Sequence, residues 1–551
     1  MAEPPTPRQT APLTIEGRGV HPSAPHLDEA AGPAPAAGKR RRSVVAAVGL
    51  AITVGLVARF VTVSPLWLDE ALTVNIARLP LGDIPEALRH DGAPPLYYLV
   101  LHLWMKVAGS GDVATRALSG LMAVAALPLA WLAGGRLVAD RSRGTNRWVA
   151  WAALLLLASS PFAIRYATEV RMYSLVVLLV LAGFLALDTL LHDPGPSPWA
   201  AVVLGVATGL LLLTHYWGFF LVAAVGILLA IRWWRAEPAR RAGFRRGLTA
   251  MAVGSLLFVP WLPSFVFQMR ETGTPWGAPP KPRTVFDVVL QFAGGLPDTS
   301  LPLGLLVYGL LALGLFGTAA GRGVISLDLR GRPPGRTVAA AAVGTMALAV
   351  VVGRLTGSAF AIRYAAVVLP LVILLAALGT ATLAGSWVGP ATLALAVGLG
   401  FATAIPALAG DRTTAARVAA ALRAEARPGD VVAYCPDQLG PSVSRYLEAG
   451  SSPELEQITF PRARGPELVD WVGYEAANKA AATAPFARML LDRAGPEGTV
   501  WVVWAPSYRT FGTKCQSLLT DLRLARPQER RVVKVSTNTF ERPGLVQYPP
   551  N

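Results

Sequence analysis

Residues 39–70 read KRRRSVVAAVGLAITVGLVARFVTVSPLWLDE. A cluster of four cations, Lys39 to Arg42, opens the stretch. About twenty apolar residues follow from Ser43 to Val63, and the segment ends on the acidic pair Asp69 and Glu70. A bilayer core of about 30 Å takes about 20 helical residues, so this reads as a first membrane span. Its basic flank belongs in the cytoplasm, which sends the acidic pair to the outer face. A cleaved signal peptide would place a small-residue site after the apolar run. Here the run leads straight into acid, so the span is expected to stay.

The rest of the chain agrees with that beginning. It has 551 residues, of which 53% are hydrophobic and 15% charged, too little charge for a water-facing surface. The net charge of +16 lies mainly in short segments between apolar runs. That is membrane orientation and not a nucleic-acid-binding face. Apolar runs at about 44–63, 113–137, 147–163, 172–191, 199–215, 217–234, 248–268, 301–319, 337–356, 361–384 and 388–408 predict about eleven transmembrane helices. With the first flank inside, the arginine groups at 136–147, 232–246 and 322–336 also fall inside. Leu96 to Val107 is apolar but too short to cross, and is expected as an interfacial or embedded helix on the outer side.

Two further regions complete the expected organisation. Residues 1–43, rich in Pro, Ala and Gly, read as a disordered cytoplasmic tail. Residues 44–410 form the membrane domain, and 411–551 change character, with a helix-like stretch at Thr414 to Ala426 and strand-like runs at Val431 to Tyr434, Val500 to Trp504 and Arg531 to Val535. The odd span count places this small α/β domain outside the cell. Cys435 and Cys515, the two cysteines of the chain, both fall within it. Oxidation is permitted there, and a disulfide between them is expected.

Chemistry-bearing residues gather on the outer side. Asp69 and Glu70 follow the first span, and His90 and Asp91 close the same loop in HDGAPPLYY, residues 90–98. RYATEVRMY, residues 165–173, adds Glu169, Arg171 and Tyr173. LTHYW, residues 213–217, adds His215, and IRYAAVVLP, residues 362–370, adds Arg363. Each has a plainer reading: a solvated loop edge for the acidic pair, an ion pair for Glu169, a carbonyl-bonded interfacial histidine for His215, a snorkelling side chain for Arg363. Taken together they are complementary, because carboxylates serve as general bases and arginines grip phosphate bidentately.

In this order, these five segments resemble the GT-C superfamily, in the branch of protein O-mannosyltransferases and lipid A aminoarabinose transferases. The similarity covers about residues 44–408. It implies an inverting transferase that takes sugar from a polyprenyl phosphate donor on the outer face of the cell membrane. By position, Asp69 would be the general base with Glu70 beside it, Glu169 the second acidic position, and Arg171, Tyr173 and Arg363 the phosphate side. Aminoarabinose transferases carry a metal-binding glutamate two residues before the first proline of the Pro-Pro segment. This chain has Gly92 there, which leaves a divalent metal on His90, Asp91 and His215 as an open alternative.

The chemistry stands without the resemblance. A sugar bonded to phosphate already has a leaving group, so its transfer needs a base for the acceptor hydroxyl and cations for the departing charge. The chain shows neither a P-loop nor a dinucleotide fingerprint, as befits a reaction outside the cell that uses no nucleotide sugar. The acceptor, whether envelope glycan, lipid or protein, stays open. The competing readings are a lipid or glycan transporter, which would gather its ionisable groups at the membrane midplane, and a membrane-anchored binding protein.

Overall fold

The structure, a computed structural model, describes residues 35–138, 143–193, 195, 197–274, 277–295, 297–321, 324–450, 453–506 and 508–551. The chain divides into two units, Met1–Gly49 and Leu50–Asn551. Of the first, residues 35–49 are described, and they are helical. The helix Pro35–Ala58 therefore starts eight residues ahead of the tail boundary expected at 43. Proline suits a first helical turn, and the alanines and arginines that follow are good helix formers. The remainder of the expected tail, residues 1–34, lies outside the described residues.

Helices dominate the membrane part. Among the described residues eight are long and apolar enough to cross a bilayer, or nine if Gly144–Ala158 and Pro161–Ala167, bent by 54°, form one span. This strict count falls short of eleven because Pro198–Thr214 and Ser300–Phe316 are shorter apolar helices. Both coincide with runs read from the sequence as spans. Leu96–Ala108 is a helix of 13 residues, again short of a crossing. Beyond Phe316 the apolar run turns into a strand, and Gly317–Gly321 pairs antiparallel with Val324–Leu327 in a hairpin that the hydropathy pattern did not reveal.

The helices pack through small residues. Between Pro198–Thr214 and Pro238–Ser255, a Cβ added to Gly254 would stand 2.0 Å from the Gly205 carbonyl oxygen, and one on Gly209 2.4 Å from that of Gly254. Backbones this close need glycine at the crossing, since lipid gives helices no hydrophobic reason to associate and packing must supply it. Large apolar side chains on the other faces, such as Val202, Val206, Ile227 and Val351, stay exposed. That is the surface a lipid solvent calls for.

The C-terminal part is a five-stranded sheet in the order Glu456–Thr459, Val431–Cys435, Val500–Trp504, Gly544–Tyr548, Arg530–Val533. The first three strands are parallel and the last two antiparallel to their neighbours. Val431–Cys435 is buried along its whole length, as an inner parallel strand is. The sequence pattern found the helix Ala415–Glu425 and three of the strands. Glu456–Thr459 and Gly544–Tyr548 escaped it, being short and interrupted by polar residues. A disulfide joins Cys435, at the end of the buried strand, to Cys515 near the start of the helix Lys514–Ala525, with their Cα atoms 5.5 Å apart.

Candidate active site

The loop Ser64–Trp67 delivers the acidic pair into the first turn of the helix Leu68–Arg78, where carboxylates are favoured by the helix dipole. Neighbouring residues on a helix point about 100° apart, and the two acids part company accordingly. Glu70 turns inward and is fully buried. Its carboxylate takes both Nε of Arg116 at 2.8 Å and Nη2 at 2.6 Å, and it accepts the Val170 N–H at 3.0 Å. Arg116 also donates to the carbonyls of Ser64 and Pro65. Glu70 thereby ties the loop to Arg116 and to the Val170 backbone.

Glu169 joins the same buried network. It lies between Arg165, whose Nε is 3.3 Å away, and Arg412, whose Nη1 is 3.8 Å from Glu169 and 3.7 Å from Glu70. Arg412 is anchored in turn on the carbonyl and hydroxyl of Thr168. One oxygen of Glu169, Oε2, is buried without a hydrogen bond. The sequence reading missed Arg116 and Arg412, although a cation inside the apolar run 113–137 was a signal in itself.

Asp69 faces the other way, toward the cluster expected to hold phosphate. Arg363 Nη2 lies 3.2 Å from its Oδ2, which has no hydrogen bond. Arg363 is placed by the tight turn Ile362–Val368 that enters the helix Leu369–Leu383, and its guanidinium stands 5.7 Å from the centre of Tyr364 and 5.9 Å from that of Trp67. It is one-fifth exposed, not the open snorkelling arginine of the sequence reading. Arg171 approaches from the turn before Tyr173–His192 and donates to Thr73 Oγ1 at 2.9 Å. Its charge is held firmly, with the surrounding tyrosines, Asp69 and Asp91 outweighing its burial.

Tyr173 and His215 close the cluster. The ring of His215 lies 5.7 Å from Tyr173 and 5.1 Å from Tyr364. The Trp217 N–H donates to His215 Nδ1 at 3.1 Å, so in the neutral ring the proton sits on Nε2. Asp91 is half-buried and accepts from Tyr98 O–H at 3.0 Å; desolvation pushes its carboxyl up to about 6.

His90 lies elsewhere. Its Nδ1 is 2.8 Å from Asp470 of the C-terminal part, and its carbonyl accepts the Trp471 N–H. Among the described residues no three His, Cys, Asp or Glu side chains are grouped to hold a metal. The expected trio of His90, Asp91 and His215 is not brought together, because His90 is spent on domain docking. Gly92, at φ +86°, ends the helix Ile84–Asp91 in a left-handed turn, a conformation costly for a glutamate.

The C-terminal part reaches into this site. Leu66 N–H donates to Tyr446 Oη at 2.6 Å, and the Tyr446 O–H in turn meets Asp112. Glu541 accepts from Ser442 Oγ at 3.0 Å, and its backbone N–H donates to the Arg412 carbonyl at 2.9 Å. Burial pushes the Glu541 carboxyl up to about 8. Phe540 meets Trp67 edge-on at 4.9 Å.

No protein-family model matches the chain, and no curated protein matches it. Solved structures do. ArnT from Cupriavidus metallidurans bound to undecaprenyl phosphate superposes with a TM-score of 0.56 at 15% identity, over 92% of this chain and 98% of that one. The apo state of ArnT gives 0.58 at the same identity and coverage. The protein therefore has the fold of ArnT over nine-tenths of its length.

Proposed function

We propose that the protein is an inverting glycosyltransferase that takes its sugar from a polyprenyl phosphate and delivers it to a cell-envelope acceptor on the outer face of the membrane. The observation that carries this reading is the pairing of Asp69 with Arg363 in a cluster that also holds Arg171, Tyr173 and His215. A carboxylate oxygen without a hydrogen bond lies 3.2 Å from the Arg363 guanidinium, and Arg171 reaches the backbone carbonyl of the same residue. Such a site has a proton acceptor on one side and a phosphate cradle on the other. The undecaprenyl phosphate in the ArnT structure supports a donor of the same class.

The reaction follows from that arrangement. Arg171 and Arg363 hold the donor phosphate, and Asp69 takes the proton of an acceptor hydroxyl. The acceptor oxygen bonds to the sugar C1 from the face opposite the phosphate. The C1–O bond breaks with its electron pair leaving on the phosphate, where the two arginines stabilise the charge that develops. Glu70 and Glu169 take no part in proton transfer in this scheme and hold the frame.

Replacing Arg363 by Gln tests the phosphate role. A charge-assisted hydrogen bond contributes about 1.5–3 kcal/mol, so donor affinity should fall by about tenfold to a hundredfold while the purified variant unfolds at the temperature of the parent. Binding of polyprenyl phosphate at the parent's affinity would remove Arg363 from the site. The outward orientation is tested on the same chain by reporters after Arg241 and at the C-terminus, which should mark the cytoplasm and the outside respectively.

A further inference from the structure

Phe540 is a large aromatic residue that remains 64% exposed, although the segment carrying it is firmly anchored. Glu541 is buried, bonded through its side chain to Ser442 and through its backbone N–H to Arg412, and paired with Thr413 in an isolated bridge. Thr539 is buried on the other side. A segment pinned at both neighbours presents the ring between them by construction. The ring uses its contact with Trp67 in a T-shaped geometry, 80° between planes. Trp67 in turn lies under the Arg363 guanidinium that pairs with Asp69.

Thr539 Oγ1 and Asp69 Oδ2 are both buried and without hydrogen bonds. Buried polar atoms without partners are few in folded proteins and ask for an explanation, of which a missing ligand is one. Aromatic rings beside a small number of convergent polar groups form a usual ligand-binding surface. An aromatic face together with unsatisfied oxygens suits one ligand chemistry well: a sugar ring, whose C–H face lies on the aromatic ring and whose hydroxyls donate to the oxygens.

We propose that Phe540, with Thr539 and Trp67, forms the acceptor subsite, and that the acceptor it recognises is a saccharide ring whose reacting hydroxyl is offered to Asp69. This rests on the transferase reading above and adds the acceptor's chemical class. It also gives the C-terminal part a role, since that part supplies one wall of the subsite. The donor side, formed by Arg171, Tyr173 and Arg363, belongs wholly to the membrane part.

The test uses the full-length protein, a labelled polyprenyl phosphate sugar, and two acceptors: glycan fragments released from envelope material, and unglycosylated peptides. Donor consumption without acceptor is followed in parallel. For Phe540→Ala the concentration of glycan fragments giving half-maximal transfer should rise about tenfold, while donor affinity and acceptor-free donor hydrolysis stay at the parent's values. Phe540→Trp should restore the acceptor response, and Thr539→Val should weaken it in the same sense. Unchanged glycan dependence in Phe540→Ala would overturn the subsite, as would a change confined to the donor. Transfer to peptide but not to glycan by the parent would overturn the saccharide assignment. A parent protein that consumes no donor under any condition would instead overturn the transferase reading itself.

Discussion

Asp69→Asn should yield a folded protein that still binds donor and transfers sugar about 10²-fold to 10⁴-fold more slowly. The amide keeps the shape of the carboxylate but can neither accept the acceptor's proton nor carry the charge. The ion pair with Arg363 sharpens the expectation. Losing a carboxylate partner frees that guanidinium for phosphate, so donor affinity should hold or rise while turnover collapses. A substitution that merely disturbed the site would lower both. Transfer and donor binding are measured on the same purified preparations: full transfer would remove Asp69 as base, and lost donor binding would make it a binding residue.

Glu70→Gln is expected to fail for a different reason, in stability. The sequence set Glu70 simply beside the base. The structure buries it completely against Arg116, with Arg412 close by. Breaking a buried pair from one side leaves an uncompensated charge and costs about 3–5 kcal/mol. A glutamine would also turn an N–H₂ toward donors that need an acceptor. Yield of monodisperse protein and its thermal unfolding should both drop sharply. A Glu70→Gln variant that unfolds like the parent but transfers slowly would return Glu70 to the chemistry.

The contrast between these two neighbours shows what the sequence could and could not carry. Apolar run length is a local property, so most of the membrane helices were legible, although Pro198–Thr214 and Ser300–Phe316 are shorter than the spans read there and the run at 248–268 belongs to Pro238–Glu271. The clustering of Asp69, Arg171, Tyr173, His215 and Arg363 could be read from topology, because one side of a membrane is a small place. Which of two adjacent acids faced the site depended on Arg116, a partner 46 positions away, and no pattern encodes that contact. His90 looked like a metal ligand beside Asp91 until Asp470 was seen opposite it. Phe540 and Glu541 had no signal at all, since they sit in a polar stretch whose meaning lies wholly in what it touches.

The bonds from Tyr446 to Leu66, and from Glu541 to Arg412, bear on how the protein comes to be made. A ribosome makes Leu66 380 residues ahead of Tyr446, with the membrane helices between them. Domains that emerge first usually fold first, yet here the loop ahead of Asp69 receives the Tyr446 bond only after the C-terminal part has folded against it. A nascent chain that has not yet made Tyr446 therefore lacks this bond, and the buried pair of Glu70 with Arg116 holds the loop until it forms.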